Sequence, residues 1–534
     1  MITKIHIENY KIFNKFTLSF NEDLNIIVGD NETGKSTILE AINLALTKRL
    51  NGKAIEYELA PYLFNKQSEE DYLQSIQRGE LNEPPKIVIE LYFKDKPEFF
   101  NLKGTNNTYS ENVPGIKLEI LFDDNFKQEY ESLIKDEIDK IKNIPSEYYK
   151  VQWYSFAFAT ITTRSVPIKV GFTDATTIRL QSGTDYYLQD IIKNTLDIKE
   201  RVGLNISYRN LKEAFSSQQP IKDLNTKLNE TKGTITDKNL SIALDISGRS
   251  NWETLLIPHL DSLPVSLSGK GEQNVLKILL SLEKKTEETD IILVEEPENH
   301  LSFTSMNKLI KKINDKCAGK QIILTTHSAF VLNKLGLKKL TLLSDNKSTT
   351  LSDLEKDTQE YFKKLSGYDT LRLVLGKKTI LVEGASDELI VQKAYFDKYK
   401  KMPIEDGVDV LNVMGLSFLR FLEIAEKLNK EVIVITDNDG DYENKVKNKY
   451  SKYITTPKKT NIKIIYSQDN SNPTLEPQIV ACNEVSMLNK IFNKSCTTKD
   501  EMKKYMINNK TDCALQILQT TEKIKIPEYI INEI

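Results

Sequence analysis

Acidic side chains placed directly after short apolar runs are the strongest chemical signal in this 534-residue chain. Thr379 to Val382 predicts a strand that ends at Glu383, with a turn at Gly384, an N-cap at Ser386 and Asp387 in the first helical turn. Val432 to Thr436 predicts a second strand, which delivers Asp437 and Asp439, with Asp441 as a further candidate. A strand over Val408 to Val413 and a helical run through Phe418, Leu419, Phe421, Leu422 and Ile424 lie between them. This βαβα order requires a parallel sheet, so the acids share its carboxyl edge, where open α/β sheets hold their crevices. Clustered carboxylates suit a hard cation such as Mg²⁺ or Mn²⁺, and two such ions roughly 3.5 to 4 Å apart stabilise both the attacking and leaving oxygens of phosphodiester cleavage. A calcium EF-hand loop does not fit: counted from Asp437, Tyr442 falls where the obligatory Gly belongs and Asn448 where the Glu belongs.

A second chemistry, phosphate binding, is written earlier in the chain. The run LNIIVGD passes directly into Gly29-Asp-Asn-Glu-Thr-Gly34-Lys35-Ser36-Thr37, followed by helical apolar spacing at Ile38, Leu39 and Ile42. That is a P-loop in its required strand-to-helix context, with backbone N–H groups around phosphate oxygens, Lys35 reaching the terminal phosphates and the Ser36 hydroxyl offered to Mg²⁺. Ser266-Leu-Ser268-Gly269-Lys-Gly271-Glu272-Gln273 opens another helix with a second phosphate-suited N-terminus. An apolar strand then ends in Glu295-Glu296, and a further one in His327. Glu295 is placed to support Mg²⁺ through water, Glu296 to polarise an attacking water, and His327 to contact a γ-phosphate.

The elements that must carry these groups imply an α/β chain of two or three domains, given its length. Predicted strands at Ile2 to Glu8, Phe16 to Phe20, Lys86 to Phe93, Ile116 to Phe122 and Val151 to Thr162 build a first domain over residues 1–365, with a helical insertion at about 184–254. In that insertion Leu188, Ile191, Ile192 and Leu196 share one helix face, suited equally to packing in place and to a subunit contact. A second domain occupies 366–534. Net charge is −3, from 73 Lys+Arg against 76 Asp+Glu, so a nucleic-acid surface must be local rather than global. Lys445, Lys447, Lys449, Lys452, Lys458 and Lys459, with Tyr450 and Tyr453 among them, form the densest basic stretch, suited to phosphate contact and to stacking on unpaired bases. The four cysteines form no CxxC pair, which argues against structural zinc and fits a reducing cytoplasm. No apolar run approaches the roughly 18 to 20 residues that span a bilayer, and no membrane partner is expected.

The four nucleotide elements resemble the P-loop, signature, acidic-strand and switch-histidine motifs of ABC-type ATPase heads, including the SMC-like group. The resemblance implies ATP with Mg²⁺ and head-to-head dimers in which the signature of one subunit, here Ser268 and Gly271, completes the site of another. The chain departs from the family at Glu295, where Asp is usual and where the longer side chain would reach the metal through water, and it lacks the long heptad arms of true SMC proteins. Glu383 with Asp437-x-Asp439 resembles a Toprim domain, Rossmann-like with a parallel sheet. An ABC-type head followed by Toprim is the layout of the OLD (overcoming lysogenization defect) family of nucleases, and the resemblance covers nearly the whole length. It further matches Thr474-Leu-Glu476-Pro477, whose Glu joins the metal site, and Asn509-Lys510-Thr511, whose Lys stabilises developing phosphate charge. The implied function is an ATP-regulated, divalent-metal-dependent DNA endonuclease in defence against phage or foreign DNA. It would act as a homodimer or tetramer through its heads and insertion, and an associated defence protein or RNA is a further candidate partner. The rival reading is an ATP-switched DNA-binding clamp without nuclease activity.

Overall fold

The computed structural model describes the chain apart from residues 81, 138–140, 163–164, 175–195, 231–237, 246–251, 253–256, 258, 284–289, 317–318, 345, 352–353, 365–369, 416 and 455–460. It forms two compact units, Met1–Val170 with Cys317–Ile534, and Gly171–Lys316.

In the first unit, β1 (Ile2–Tyr10) and β2 (Phe13–Ser19) form an antiparallel hairpin with Ile5 opposite Leu18. β3 (Leu24–Gly29), buried along its whole length, leads through the P-loop into α1 (Lys35–Thr47). β4 (Ile87–Phe93), β5 (Val113–Phe122) and β6 (Tyr149–Ser155) extend the hairpin into an antiparallel sheet in the order β2-β1-β4-β5, with β6 on β5. β3 belongs to another sheet, parallel to β7 (Gln321–Thr325). After α2 (Ala329–Leu335), β8 (Leu340–Ser344) pairs parallel with β3 on its other side, and β9 (Lys347–Thr350) closes that edge antiparallel. α1 is apolar around most of its girth because it packs against both sheets, burying Ile38, Leu39, Ile42 and Leu46. Trp153 of β6 reaches it with an indole N–H donated to the Ala45 carbonyl at 2.9 Å. The predicted strand Val151 to Thr162 is shorter than expected, because Ser155 begins a turn that returns Ile161 to the Trp153 carbonyl.

α3 (Lys356–Lys364) and α4 (Thr370–Leu375) lead into the second sheet, and the buried Thr370 hydroxyl donates to the side-chain amide oxygen of Asn333 in α2 at 2.6 Å. β10 (Lys378–Val382), α5 (Ala385–Tyr399), β11 (Val408–Asn412), α6 (Phe418–Lys427), β12 (Glu431–Ile435) and β13 (Ile462–Ile465) then alternate. All neighbouring strands are parallel, in the order β11-β10-β12-β13. The chain leaves β10 toward one side and returns to β12 on the other, so the crossovers diverge between their carboxyl ends and open a crevice there. Behind it Ile380, Val382, Ile390, Ile433 and Ile435 share a core with α7 (Leu475–Cys482) and α8 (Lys510–Gln519), through Ile479, Val480, Ala514 and Ile517. Gly384 rather than Ser386 caps α5, because the extended backbone at Gly384 lets the Asp387 side chain turn back and accept its N–H at 3.0 Å.

The second unit contains helices Ile198–Ser216, started by an Asp197–Glu200 capping box, and Gln219–Asn229. Helix Lys270–Glu283, strand Ile291–Glu295 and helix Phe303–Lys316 follow. The apolar stripe expected through Leu188, Ile191 and Ile192 lies outside the described residues, as does the expected domain boundary at 365–366.

Candidate active site

The nucleotide residues fall in both units. In the first, β3 delivers Gly29 to the carboxyl edge of its sheet, and Gly34 turns the chain into α1 at φ 92°. A Cβ on Gly34 would stand 2.4 Å from the Phe13 ring, so backbone conformation and close packing both demand glycine there. The Lys35 ammonium donates to the carbonyls of Gly29 at 3.0 Å and Asp30 at 2.7 Å, while Ser36 is exposed at the helix start, with Thr37 beside it. The register Thr325 opposite Ile27 brings His327, exposed just beyond β7, to the level of Gly29 on the same edge. In the second unit, a Cβ on Gly271 would meet the His300 carbonyl at 2.2 Å, and the Ser268 hydroxyl donates to Val265 O at 2.8 Å. Glu295 ends its strand buried; Glu296, at φ 43°, accepts from the Asn299 amide at 2.7 Å.

The acids of the second sheet are set by strand register. Leu381 lies opposite Val434, so Glu383 emerges beside Thr436, whose hydroxyl donates to its Oε1 at 2.8 Å; the Asp437 N–H adds a bond at 3.2 Å. Removal from water raises the Glu383 pKa against these two bonds, and the Asp439 charge raises it further. Asp387 is pushed up to about 6 by burial first, then by the charges of Glu383 and Glu476. Asp437 is pushed up to about 8 by burial, then by Asp387, Glu383 and Glu476, with Lys510 pulling the other way. Glu476, in the first turn of α7, is 5% exposed; it pairs with the Lys510 ammonium at 3.2 Å and accepts from Thr474 at 2.9 Å. Lys510, first residue of α8, loses water at its half-exposed place, yet Glu476, Asp437 and Asp387 hold its pKa above the ordinary value. Residues more than a hundred positions apart thus act on one another electrostatically, as the TLEP and Asn-Lys-Thr resemblances imply.

Two candidates stand apart. Asp439 is exposed, at φ 50°, and its charge acts on Glu383 and Lys449. Asp441 points into the next turn, accepting from Asn444 N–H and side-chain amide, which lower its pKa. Between the acids, fully buried Asn438 donates to the carbonyls of Ser467 at 2.9 Å and Asp469 at 3.1 Å and accepts from Gly440 N–H at 2.9 Å, pinning the turn to the loop after β13. Sequence reading missed Thr436 and also Tyr529, whose hydroxyl donates to Gln478 at 2.8 Å and whose pKa rises through burial, then through Asp437 and Asp387. Tyr529 lies on a C-terminal turn that carries no motif, so only tertiary packing reveals it.

The lysine-rich stretch is corrected in part. Tyr450 and Tyr453 are buried, at 0% and 4% exposure, and are core residues rather than platforms for bases. Lys447 pairs with Glu443 and Lys452 with Glu426, and Lys458 and Lys459 lie outside the described residues.

Among the described residues, no three His, Cys, Asp or Glu side chains are already gathered as ligands around one point. Their oxygens are engaged instead by Thr436, the Gly384 and Asp437 amides, Thr474 and Lys510. The donor set nevertheless fits a divalent cation, because repelling carboxylates with raised pKa values are what such a charge relieves.

A family profile described as AAA ATPase domain matches residues 1–332, and one described as overcoming lysogenization defect protein-like, TOPRIM domain, matches 375–439. The chain is 24% identical over 460 residues to the endonuclease GajA of Bacillus cereus strain VD045, covering 82% of this chain and 75% of that one. It is 23% identical over 550 residues to the GajA of strain HuB5-5, covering 87% and 78%. A solved SMC head bound to the C-winged helix domain of ScpA aligns with TM-score 0.36 and 15% identity over 66% of this chain and 98% of that one. Nucleotide and divalent metal use follow from the two domains. The chain belongs to the AAA ATPase domain family over its first 332 residues and carries an overcoming lysogenization defect protein-like TOPRIM domain behind it.

Proposed function

We propose that this protein is an ATP-regulated, metal-dependent DNA endonuclease acting in defence against phage or other foreign DNA. The observation that carries this reading is the gathering of Glu383, Asp387, Asp437 and Glu476 at a topological switch point, where Lys510 pairs with Glu476 at 3.2 Å and acts on Asp437 and Asp387. The AAA ATPase and TOPRIM domain matches, with relatives named as endonucleases, support it. Glu383, Asp387, Asp437 and Glu476, with Asp439 at the rim, would hold Mg²⁺ or Mn²⁺, which when bound supplies an activated water and neutralises charge on the phosphodiester. Lys510 then releases Glu476 and donates to a non-bridging phosphate oxygen as negative charge grows there. Thr436 and the Asp437 N–H hold Glu383 in one orientation, and Asp387 is fixed by its bond to Gly384.

By the resemblance to ABC-type heads, Lys35, Ser36 and Thr37 would bind the phosphates of ATP with Mg²⁺, Glu295 would support Mg²⁺ through water, Glu296 would polarise an attacking water and His327 would contact the γ-phosphate. The helix Ile198–Ser216 leaves Ile198 84% and Leu211 66% exposed, with Val202, Ile206 and Phe215 also open, exposed apolar positions on more than one side of the helix that support self-association through the insertion. Among the described residues no helix is long and apolar enough to cross a membrane, and the described cysteines Cys482, Cys496 and Cys513 form no disulfide, in keeping with a cytoplasmic place.

The test is cleavage of supercoiled plasmid and linear DNA with Mg²⁺ or Mn²⁺, with and without ATP. Metal-dependent cutting by the native chain and none by Asp437→Asn is expected. DNA binding without cutting under every metal condition would leave the ATP-switched clamp, the reading favoured by the engaged state of the acid oxygens.

A further inference from the structure

The residues after the Asp-x-Asp turn wind as a π-helix over Glu443–Asn448 and continue into a short helix, Ser451–Ile454. Val446, Tyr450 and Tyr453 are buried and recur three to four residues apart, so they form the inward stripe of this segment. Lys449 belongs to that stripe by spacing and is partly buried, whereas Lys445, Lys447 and Lys452 are exposed. Its ammonium lies 5.0 Å from the centre of the Tyr450 ring and makes no ion pair or hydrogen bond with a described residue. Tyr450 packs against Phe418 of α6, which fixes the backbone that carries Lys449. A π-turn inserts an extra residue per turn, a common means of re-aiming a side chain at a functional site.

The charges that act on Lys449 are those of Glu383 and Asp439, while burial lowers its pKa and Lys445 repels it. Glu383 in turn responds to Lys449. Lys510 acts on a different subset, Glu476, Asp437 and Asp387. The acid set therefore has an ammonium for each half. A lysine that is drawn inward, partly dehydrated and yet unpaired is suited to a phosphate, which supplies the full charge that distant carboxylates do not.

We infer that Lys449 is a DNA-binding residue of the site, contacting a backbone phosphate of the strand to be cut from the Glu383–Asp439 side, as a complement to Lys510. This rests on the nuclease reading for which strand is held, but its binding component can be measured separately. The contact is to phosphate and carries no base readout.

The experiment compares Lys449→Gln, Lys449→Arg and, as a control, Lys447→Gln, each checked by thermal melting. Binding to a duplex is measured against salt in the Asp437→Asn background, where no cutting interferes, and plasmid cleavage is measured in the native background. For Lys449→Gln the slope of log affinity against log salt falls by about 1 and cleavage falls roughly 10-fold, mainly through KM. Lys449→Arg restores most of both, because it keeps the charge, and Lys447→Gln stays within about twofold of native. An unchanged salt slope with altered Mn²⁺ affinity in the absence of DNA would overturn the inference, because Lys449 would then be only a counter-charge for Glu383. Should the native chain cut no DNA, the nuclease reading fails, while the salt slope still decides whether Lys449 binds DNA.

Discussion

Two carboxyl edges of parallel strands in this chain do opposite electrostatic work. At the edge of β3, Gly29, Gly34 and Lys35 present amides and an ammonium to an anion, and the ammonium is satisfied by carbonyls five and six residues away. At the edge of β10 and β12, the groups are carboxylates that repel one another, moderated by lysines on other elements. The P-loop reaches a low-energy state with its own local backbone. The acid edge does not, and its pKa values are raised first by burial and then by the mutual repulsion of its carboxylates. A loop that satisfies itself can be contiguous in sequence, whereas a site under charge strain must gather its partners from afar.

The sharpest break in this contrast is Asp437→Asn, which keeps the shape and removes the charge. Metal-dependent plasmid cleavage should fall by at least about 100-fold, read as loss of nicked and linear product. At the other edge, Lys35→Ala should weaken ATP about 10- to 100-fold, because charged hydrogen bonds to phosphate are lost, and equilibrium nucleotide binding reports it. Cleavage by Lys35→Ala with ATP absent should match the native chain, so a loss there would show that the two edges are not electrostatically independent.

Smaller effects concern stability. Asp437 keeps its proton in the folded chain up to about pH 8, against an ordinary value of 3.8. Its contribution is therefore fully present below pH 4 and is lost as pH rises toward 8, so the metal-free protein should weaken across that window. Asp437→Asn escapes this loss and should melt higher than native at pH 8 without metal, by roughly 1–2 kcal/mol after allowing for partial exposure of the crevice. Equal melting at pH 8, or a gap already present at pH 4, would contradict the repulsion described. A change of similar size, about 1–2 kcal/mol from unmet carbonyls of Ser467 and Asp469, is expected for Asn438→Ala, seen as a lower melting temperature with the acids themselves intact.

Legibility from sequence followed the same contrast. The P-loop, the alternation of strands and helices and the acids at strand ends were readable because each is encoded within a few neighbouring residues. Ser386 failed as a cap because the helix begins before it, at Ala385, where Asp387 turns back to accept the Gly384 N–H. Tyr450 and Tyr453 failed as stacking platforms because their helical spacing with Val446 faces the core, a periodicity hidden by the lysines between them. Thr436 and Tyr529 could not be read at all, since their part in the site exists only once distant elements pack together.

Asn438 also bears on how this site can vary over evolutionary time. The middle residue of an Asp-x-Asp pair invites the view that any side chain will serve. Here it is a buried cross-brace between two loops, using both its donor hydrogens and its acceptor. Aspartate in that place would confront two carbonyls with a like charge, and leucine would strand them without partners. Drift at position 438 is therefore tied to the shape of the loop around Ser467 and Asp469, and the two should change together or not at all.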